Sequence, residues 1–168
     1  METSTPAPAP LVAAPSAPPA PDVTVLVPVY DEQDSVAELA ERVARALDGA
    51  GRSFEIVFVD DGSRDATAER VREARARDRR VKLVRLRRNF GKAAALTAGF
   101  DIAAGRLIIT IDGDLQDDPE EIPRMLETLE TGGFDLVSGW KRERRDPISK
   151  TLPSRLYIEC TAPCNISC

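Results

Sequence analysis

Residues 107–116 read LIITIDGDLQ, and this stretch decides the expected fold. Leu107–Ile111 is a nearly continuous apolar run, which is typical of a strand covered on both faces of its sheet. Asp112, Asp114 and Gln116 follow at alternate positions, so in an extended segment their side chains point the same way. Oxygen donors without histidine or cysteine suit Mg²⁺ or Mn²⁺. The stretch therefore predicts a buried strand that ends in a metal or nucleotide site, with a capped turn before the next helix as the alternative.

On both sides of this strand, short apolar runs alternate with longer amphipathic segments. The predicted strands are residues 23–29, 54–59, 81–86, 107–111 and 134–138. The predicted helices are residues 36–49, from Asp65 to about Arg77, 92–104, and one that starts at Asp118-Pro119; Ser35 with Glu38, and Asp118 with Glu121, are expected to cap the first and the last. Strands joined by helices run parallel with right-handed crossovers. The expected fold class is therefore α/β, with an open, doubly wound, mostly parallel sheet and helices on both faces.

The composition excludes several classes of function. The chain has 168 residues and a formal charge of −5, which argues against a general nucleic-acid or anionic-membrane binder. It contains no histidine, so Ser-His-Asp and Cys-His catalysis and His-ligated zinc are excluded. No run of 18 apolar residues occurs, so no transmembrane segment is predicted. Residues 1–21 are rich in proline and alanine and are expected to form a disordered leader.

Polar residues also follow the other predicted strands, at the sheet edge where ligands bind in such folds. Asp60 and Asp61 follow the second strand, where they either hydrogen-bond a base or ribose or form a solvated turn. Lys92 opens the third helix, whose amide groups favour an anion, although an ordinary helix start explains it equally well. Lys141 and Arg142 follow the fifth strand and suit a phosphate or diphosphate. Neither GxGxxG nor GxxxxGK[ST] occurs, so a dinucleotide cofactor and a P-loop are not expected.

Four motifs occur in order along the chain: VPVYDE (27–32), VDDGSRD (59–65), RNFGK (88–92) and DGDLQ (112–116). In this combination the chain resembles the family 2 glycosyltransferases of the GT-A fold. The LQ after the second aspartate and the stretch SGWKR (138–142) look most like the polyprenyl-phosphate (dolichyl- or undecaprenyl-phosphate) sugar synthases. The resemblance covers about residues 23–157. It implies a GT-A nucleotide-sugar-binding domain over residues 22–157.

The resemblance, together with the motifs above, gives a set of expected site residues. The expected nucleotide-binding residues are Pro28, Tyr30, Glu32, Asp60, Asp61, Lys92 and Asp112. The expected metal ligands are Asp114 and Gln116, and the expected catalytic residues are Asp112, Asp114, Lys141 and Arg142. The last two match a basic element that faces the phosphates in the family. Mg²⁺ or Mn²⁺ is the implied cofactor.

The resemblance implies an inverting transferase that moves a sugar from a UDP- or GDP-linked donor to a polyprenyl phosphate. Such an acceptor is already anionic at neutral pH and needs no general base, which fits the absence of histidine. The protein is expected to be cytoplasmic, with peripheral contact at the cytoplasmic face of the membrane left open. Two alternatives remain: a nucleotide-sugar-binding remnant without transferase activity, and a haloacid-dehalogenase-like phosphatase with Asp112 as nucleophile and Asp114 as acid.

From Ile158 onward the sequence departs from the family pattern. Residues 158–168, IECTAPCNISC, contain all three cysteines, and Pro163 prevents the cysteines from sharing a helix face, so metal binding is not expected there. The departure favours a truncated or frame-shifted product without part of the acceptor side. This interpretation predicts nucleotide binding with little or no sugar transfer, and exposed apolar surface where the missing segment would pack.

Overall fold

Six strands form a single sheet in the computed structural model, which describes residues 19–139 and the backbone of 157–160. The strands are β1 (Val23–Val29), β2 (Phe54–Asp60), β3 (Val81–Arg85), β4 (Leu107–Thr110), β5 (Leu136–Ser138) and β6 (Tyr157–Cys160). The helices are α1 (Val36–Gly49), α2 (Thr67–Arg77), α3 (Lys92–Phe100) and α4 (Ile122–Gly132), the last preceded by a 3₁₀ turn at Pro119–Glu121. The sheet order is β3-β2-β1-β4-β6-β5.

The sheet is mostly parallel, as the sequence predicts. β1 pairs in parallel with both β2 and β4, and β2 pairs in parallel with β3. β6 is the exception, because it runs antiparallel to both of its neighbours, β4 and β5. The sequence does not predict a strand at residues 157–160, which straddle the boundary between the expected domain and the divergent tail.

Side chains of the central strands alternate between two apolar layers, one on each face of the sheet. Helices cover both of these faces. Val25 and Val27 belong to a layer with α1, α2 and α4, whereas Leu26 packs into a second layer on the side of α3. Ile109 and Ile108 of β4 divide between the same two layers. Burial of the strand on both faces explains why residues 107–111 read as a nearly unbroken apolar run.

Two element boundaries and one helix cap differ from the sequence expectation for an identifiable local reason. α3 ends at Phe100 rather than at residue 104, because the amide of Ala104 donates to the Glu55 carboxylate instead of continuing the helix. β5 begins at Leu136 rather than at residue 134, because the amide of Phe134 still donates to a carbonyl of α4. Ser35 does not form the expected capping box; its hydroxyl donates to the backbone and side chain of Glu32.

The capping role expected of Asp118 is confirmed, because its carboxylate accepts from the amide of Glu120 at the start of the 3₁₀ turn. The same carboxylate lies 2.8 Å from a guanidinium nitrogen of Arg42, on α1. Asp118 therefore fixes both the start of this turn and its position against α1.

A buried polar cluster lies at the amino-terminal ends of β1 and β2. The Glu55 carboxylate accepts from the hydroxyl of Thr24 and the amide of Ala104, and it pairs with Lys82. Burial raises the pKa of Glu55, but these hydrogen bonds outweigh burial and leave the pKa below its ordinary value. The cluster anchors the connection from α3 to β4 at that end of the sheet.

Candidate active site

A cavity of about 260 Å³ lies beyond the carboxyl ends of β1, β2 and β4. It is lined by Pro28, Val29, Tyr30, Glu32, Asp61, Asn89, Gly91, Lys92, Ala95, Asp112, Gly113 and Asp114. The sheet order explains this convergence, since β1 lies between β2 and β4 and the three strands end at one edge. Loops that are distant in the sequence therefore meet over β1.

The cavity brings together most of the site residues expected from the sequence. Seven of them line it: Pro28, Tyr30, Glu32, Asp61, Lys92, Asp112 and Asp114. Asp60 and Gln116 do not line it. Lys141 and Arg142 lie outside the described residues, as do most of the leader and residues 161–168.

The loop after β1 is held in place by the loop after β2. The amide of Asp31 donates to the Ser63 hydroxyl at 3.0 Å, and the Asp31 carboxylate accepts from the amide of Arg64 at 2.8 Å. The amide of Glu32 donates to the hydroxyl of Thr67 at 2.8 Å. Asp31 has a φ of 55°, a conformation that aspartate adopts more readily than most residues. These bonds fix the backbone that carries Glu32 into the cavity.

Asp61 joins the loop after β2 to the start of α3. Its two carboxylate oxygens accept from the amides of Phe90 and Gly91, each at 2.8 Å. Gly62 allows this approach, because a Cβ at that position would lie 2.4 Å from the backbone carbonyl carbon of Arg88. Gly62 also has a φ of 76°, which favours glycine. Asp61 thus places the first turn of α3, and Lys92 with it, at the cavity wall.

Asp60 has a different environment from its neighbour, although the sequence predicts that both bind a nucleotide. Its side chain is fully buried, and one carboxylate oxygen accepts from the amide of Ser63 at 2.8 Å. The other oxygen lies 3.1 Å from Nε of Arg85, but at an angle that makes no hydrogen bond. Asp60 therefore stabilises the loop after β2 and does not line the cavity.

The segment after β4 is a turn, so the prediction that Asp112, Asp114 and Gln116 alternate along an extended segment is wrong. Leu115 has a φ of 60°, and the amide of Gln116 donates to the Asp114 carboxylate at 3.0 Å. This geometry leaves Gln116 outside the cavity lining. Asp114 remains at the cavity wall.

Asp117 and Val29 hold this turn against the sheet. The sequence does not indicate that either residue supports the site. The buried carboxylate of Asp117 accepts from the amide of Asp112 at 3.2 Å. Val29, at the end of β1, packs against Gly113, where an added Cβ would lie 2.7 Å from a Val29 methyl carbon. The sequence signal for Asp117 is the run of acids after β4, which local pattern alone ascribes to helix capping.

Negative charge accumulates in the cavity. The pKa of Glu32 lies above its ordinary value, mainly because the side chain is partly buried. The hydrogen bond from the Ser35 hydroxyl lowers this pKa. The nearby carboxylates of Asp114, Asp65 and Asp112 raise it further. Lys92 offsets part of this charge, since its Nζ lies 2.5 Å from a carboxylate oxygen of Asp112. A ligand that brings positive charge would therefore be stabilised here.

The donor atoms in the cavity fit a hard divalent cation only in part. Within the described ranges, no three or more His, Cys, Asp or Glu side chains are placed to hold a metal ion together. Mg²⁺ is commonly bound by one or two carboxylates, with water and substrate phosphates completing its shell. Asp112 and Asp114 match that mode, so the residues suit a cation that binds together with a phosphate ligand.

No helix within residues 19–139 is both long and apolar enough to cross a membrane. The longest helix, α1, has 14 residues and a charged outer face.

Relatives of known description match this chain over most of its length. It is 47% identical over 135 residues to the undecaprenyl-phosphate 4-deoxy-4-formamido-L-arabinose transferase of Edwardsiella ictaluri, covering 80% of this chain and 41% of that protein. It is 45% identical over 126 residues to the dodecaprenyl-phosphate galacturonate synthase of Rhizobium johnstonii, covering 74% of this chain and 37% of that protein. The chain therefore spans about 40% of the length of these relatives.

The fold is similar to that of solved glycosyltransferases. The mannosyltransferase PcManGT from Pyrobaculum calidifontis, solved in complex with GDP-Man and Mn²⁺, superposes with a TM-score of 0.57. It is 28% identical in sequence, and the match covers 80% of this chain and 39% of that one. Residues 24–162 match the family model described as Glycosyl transferase family 2, and this range takes in the cavity and, apart from Val23, the six strands. The chain belongs to glycosyl transferase family 2.

Proposed function

We propose that this chain is the donor-binding part of an inverting, metal-dependent glycosyltransferase. In this proposal a sugar passes from a UDP- or GDP-linked donor to a polyprenyl phosphate, dolichyl or undecaprenyl. The observation that carries the proposal is the cavity in which Lys92, at the start of α3, faces Asp112 and Asp114. A diphosphate needs positive groups around it, and a divalent cation needs carboxylates, and this cavity offers both.

The donor is proposed to lie across the carboxyl end of β1. Its nucleoside would contact Pro28, Tyr30 and Asp61, of which Tyr30 is 37% exposed. Its diphosphate would lie between Lys92 and Asp112. The complex of PcManGT with GDP-Man and Mn²⁺ supports a nucleotide sugar as the donor class.

A metal ion would be held by Asp112, Asp114 and the donor's phosphates, with Glu32 nearby. Gln116, the second ligand expected from the sequence, would reach that metal only if the turn after β4 opened, since its side chain lies outside the cavity lining. When bound, Mg²⁺ or Mn²⁺ neutralises charge on the departing nucleoside diphosphate.

The residues of the chain would assist departure of the nucleoside diphosphate rather than activation of the acceptor. A phosphate monoester is largely ionised at neutral pH, so its oxygen can attack the anomeric carbon directly and invert the configuration. The charge that develops on the leaving diphosphate would be stabilised by Lys92 and, in this proposal, by Lys141 and Arg142. The absence of histidine is consistent with this division of roles.

The acceptor class rests on relatives whose names specify undecaprenyl phosphate and dodecaprenyl phosphate. A polyprenyl phosphate would place the reaction at a membrane surface, and a nucleotide-sugar donor favours its cytoplasmic face. The phosphatase alternative from the sequence analysis loses its basis, because the chain belongs to a glycosyltransferase family.

Titration calorimetry of the full chain with UDP, GDP and their sugar conjugates tests the donor site. We expect binding in Mn²⁺ or Mg²⁺ and a loss of at least about tenfold in affinity when the metal is chelated. Asp114→Asn should reproduce much of that loss, whereas Asp118→Ala, outside the cavity, should bind nucleotide normally. Equal affinity with and without chelator would refute the metal dependence, and no binding of any nucleotide would refute the proposed function.

Transfer is tested with radiolabelled donors and undecaprenyl phosphate in detergent, using this chain and a version extended with the remaining segment of a relative. Transfer by either protein supports the full proposal. Binding without transfer by both proteins would support the alternative of a nucleotide-sugar-binding protein without transferase activity.

A further inference from the structure

Lys92 stands out among the cavity-lining residues that the structure describes, because it is the positively charged one among four carboxylates. Those carboxylates are Glu32, Asp61, Asp112 and Asp114. The carboxylate of Asp61 is occupied by two backbone amides, and the ammonium of Lys92 is paired with Asp112. The pair crosses the cavity, from the first residue of α3 to the loop that follows β4.

The Lys92–Asp112 pair is placed so that it can open. The side chain of Lys92 is 54% exposed and that of Asp112 is 23% exposed, so water can solvate the ammonium when it leaves. Exposed pairs of this kind contribute little to stability. Lysine also carries its charge on a flexible stem of four carbons, which lets the ammonium change partners without movement of α3.

We propose that Lys92 is an exchangeable counter-ion that couples metal binding to diphosphate binding. In the free protein its ammonium neutralises Asp112 and competes with a divalent cation for that carboxylate. When a nucleoside diphosphate enters, the ammonium moves to the phosphate and Asp112 becomes available to the cation. This inference rests on the proposed function, since the ligand is the metal–diphosphate pair described above.

The proposal has a thermodynamic consequence that a structural role for Lys92 lacks. A metal ion that binds alone must break the Lys92–Asp112 pair and leaves the ammonium without a partner. A metal ion that binds with a diphosphate breaks the same pair but leaves the ammonium on a phosphate. Metal and nucleotide should therefore each increase the affinity of the other, by the same factor.

The decisive measurement is Mn²⁺ affinity without nucleotide, followed by the electron paramagnetic resonance signal of free Mn²⁺. We expect Lys92→Met to bind Mn²⁺ about 3- to 10-fold more tightly than the wild type, because one competing and repelling charge is removed. Lys92→Arg, which keeps the charge, should remain near the wild type. Arg45→Met removes the same charge from α1, outside the cavity, and should change the affinity less than about twofold.

A second titration adds saturating UDP or GDP, whichever the wild type binds. The factor by which nucleotide tightens Mn²⁺ binding should fall by about 3- to 10-fold in Lys92→Met, and the nucleotide affinity in Mn²⁺ should also fall. A residue that merely braces the loop would instead weaken Mn²⁺ binding in both conditions when it is replaced.

Failure of Lys92→Met to bind Mn²⁺ more tightly, whether its affinity is unchanged, weaker or undetectable, overturns the role of Lys92. Lys92→Gln provides a second variant with the same expected gain, and thermal melting of each variant verifies that it is folded. Absence of nucleotide binding by the wild type in Mn²⁺ would instead refute the proposed function, so the two failures are distinguishable.

Discussion

Replacement of Gly62 by alanine tests how the site is assembled. Gly62 lies in the loop after β2, and a Cβ there would approach the carbonyl carbon and the Cα of Arg88 at 2.4 and 2.7 Å. Both are backbone atoms, so no side-chain rotation relieves the contact. Relief requires that the loop before α3 move away from Asp61, which would break the bonds to the amides of Phe90 and Gly91.

The expected decrease in the free energy of unfolding of Gly62→Ala has two parts. Gly62 has a φ of 76°, and an alanine in the left-handed region costs about 1 kcal/mol. The steric overlap adds about 1–3 kcal/mol, as for other overpacked sites. We therefore expect Gly62→Ala to lower the free energy of unfolding by about 2–4 kcal/mol, and to weaken nucleotide binding because Lys92 and Gly91 are displaced.

Gly51→Ala is the matched control. Gly51 has a similar φ of 65°, but a Cβ added there would have no atom within 4 Å, so only the backbone part of about 1 kcal/mol applies. Urea unfolding followed by circular dichroism measures both variants, and calorimetry measures nucleotide affinity. A Gly62→Ala variant no less stable than Gly51→Ala would refute the argument that this contact holds the two loops together.

Three further outcomes are expected. Glu55→Gln should destabilise the protein by about 1–3 kcal/mol near pH 7. Because the folded pKa of Glu55 lies below the unfolded one, this difference should shrink as pH falls below about 4, in urea titrations across that range. Asp118→Ala should lower stability by about 0.5–2 kcal/mol through the lost cap, and a loss of nucleotide binding without a lower melting temperature would contradict this role. Asp117→Ala should weaken metal-dependent nucleotide binding, because the turn that carries Asp112 and Asp114 loses its anchor, and unchanged binding in calorimetry would exclude that support.

The sequence predicts the strands that are covered on both faces better than it predicts loop geometry. Residues 23–29 and 107–111 have an apolar pattern that is typical of a doubly covered parallel strand, and both strands are found. The alternating acids after β4 predict an extended segment, whereas the structure has a turn there. The conformation of this turn depends on the positive φ of Leu115 and on the hydrogen bond that the amide of Gln116 donates to the Asp114 carboxylate. The apolar periodicity of the sequence encodes neither feature.

The prediction of helix caps likewise succeeds where adjacent residues determine the cap and fails where contacts with distant residues determine it. Asp118 followed by proline is a local signal, and the cap forms as predicted. Ser35 with Glu38 is an equally good local signal, but the serine hydroxyl donates to Glu32, whose backbone amide is held by Thr67 at the start of α2. Asp60 and Asp61 cannot be separated by sequence, because both follow the same strand and only the fold assigns one to the loop interior and the other to the cavity.

The position of β6 in the sheet has a consequence for the order in which the chain assembles during synthesis. β5 pairs with β6 and has no ladder to β4 among the described strand pairs, so the strand made earlier depends on the one made later. Ser138 ends β5 and Cys160 ends β6, which leaves 22 residues between their completion. At about 5–20 residues per second, a ribosome exposes β5 as an unpaired strand for about 1–4 seconds. During that interval the edge of β4 that β6 will cover is open to any strand that reaches it, which exposes the nascent chain to mispairing.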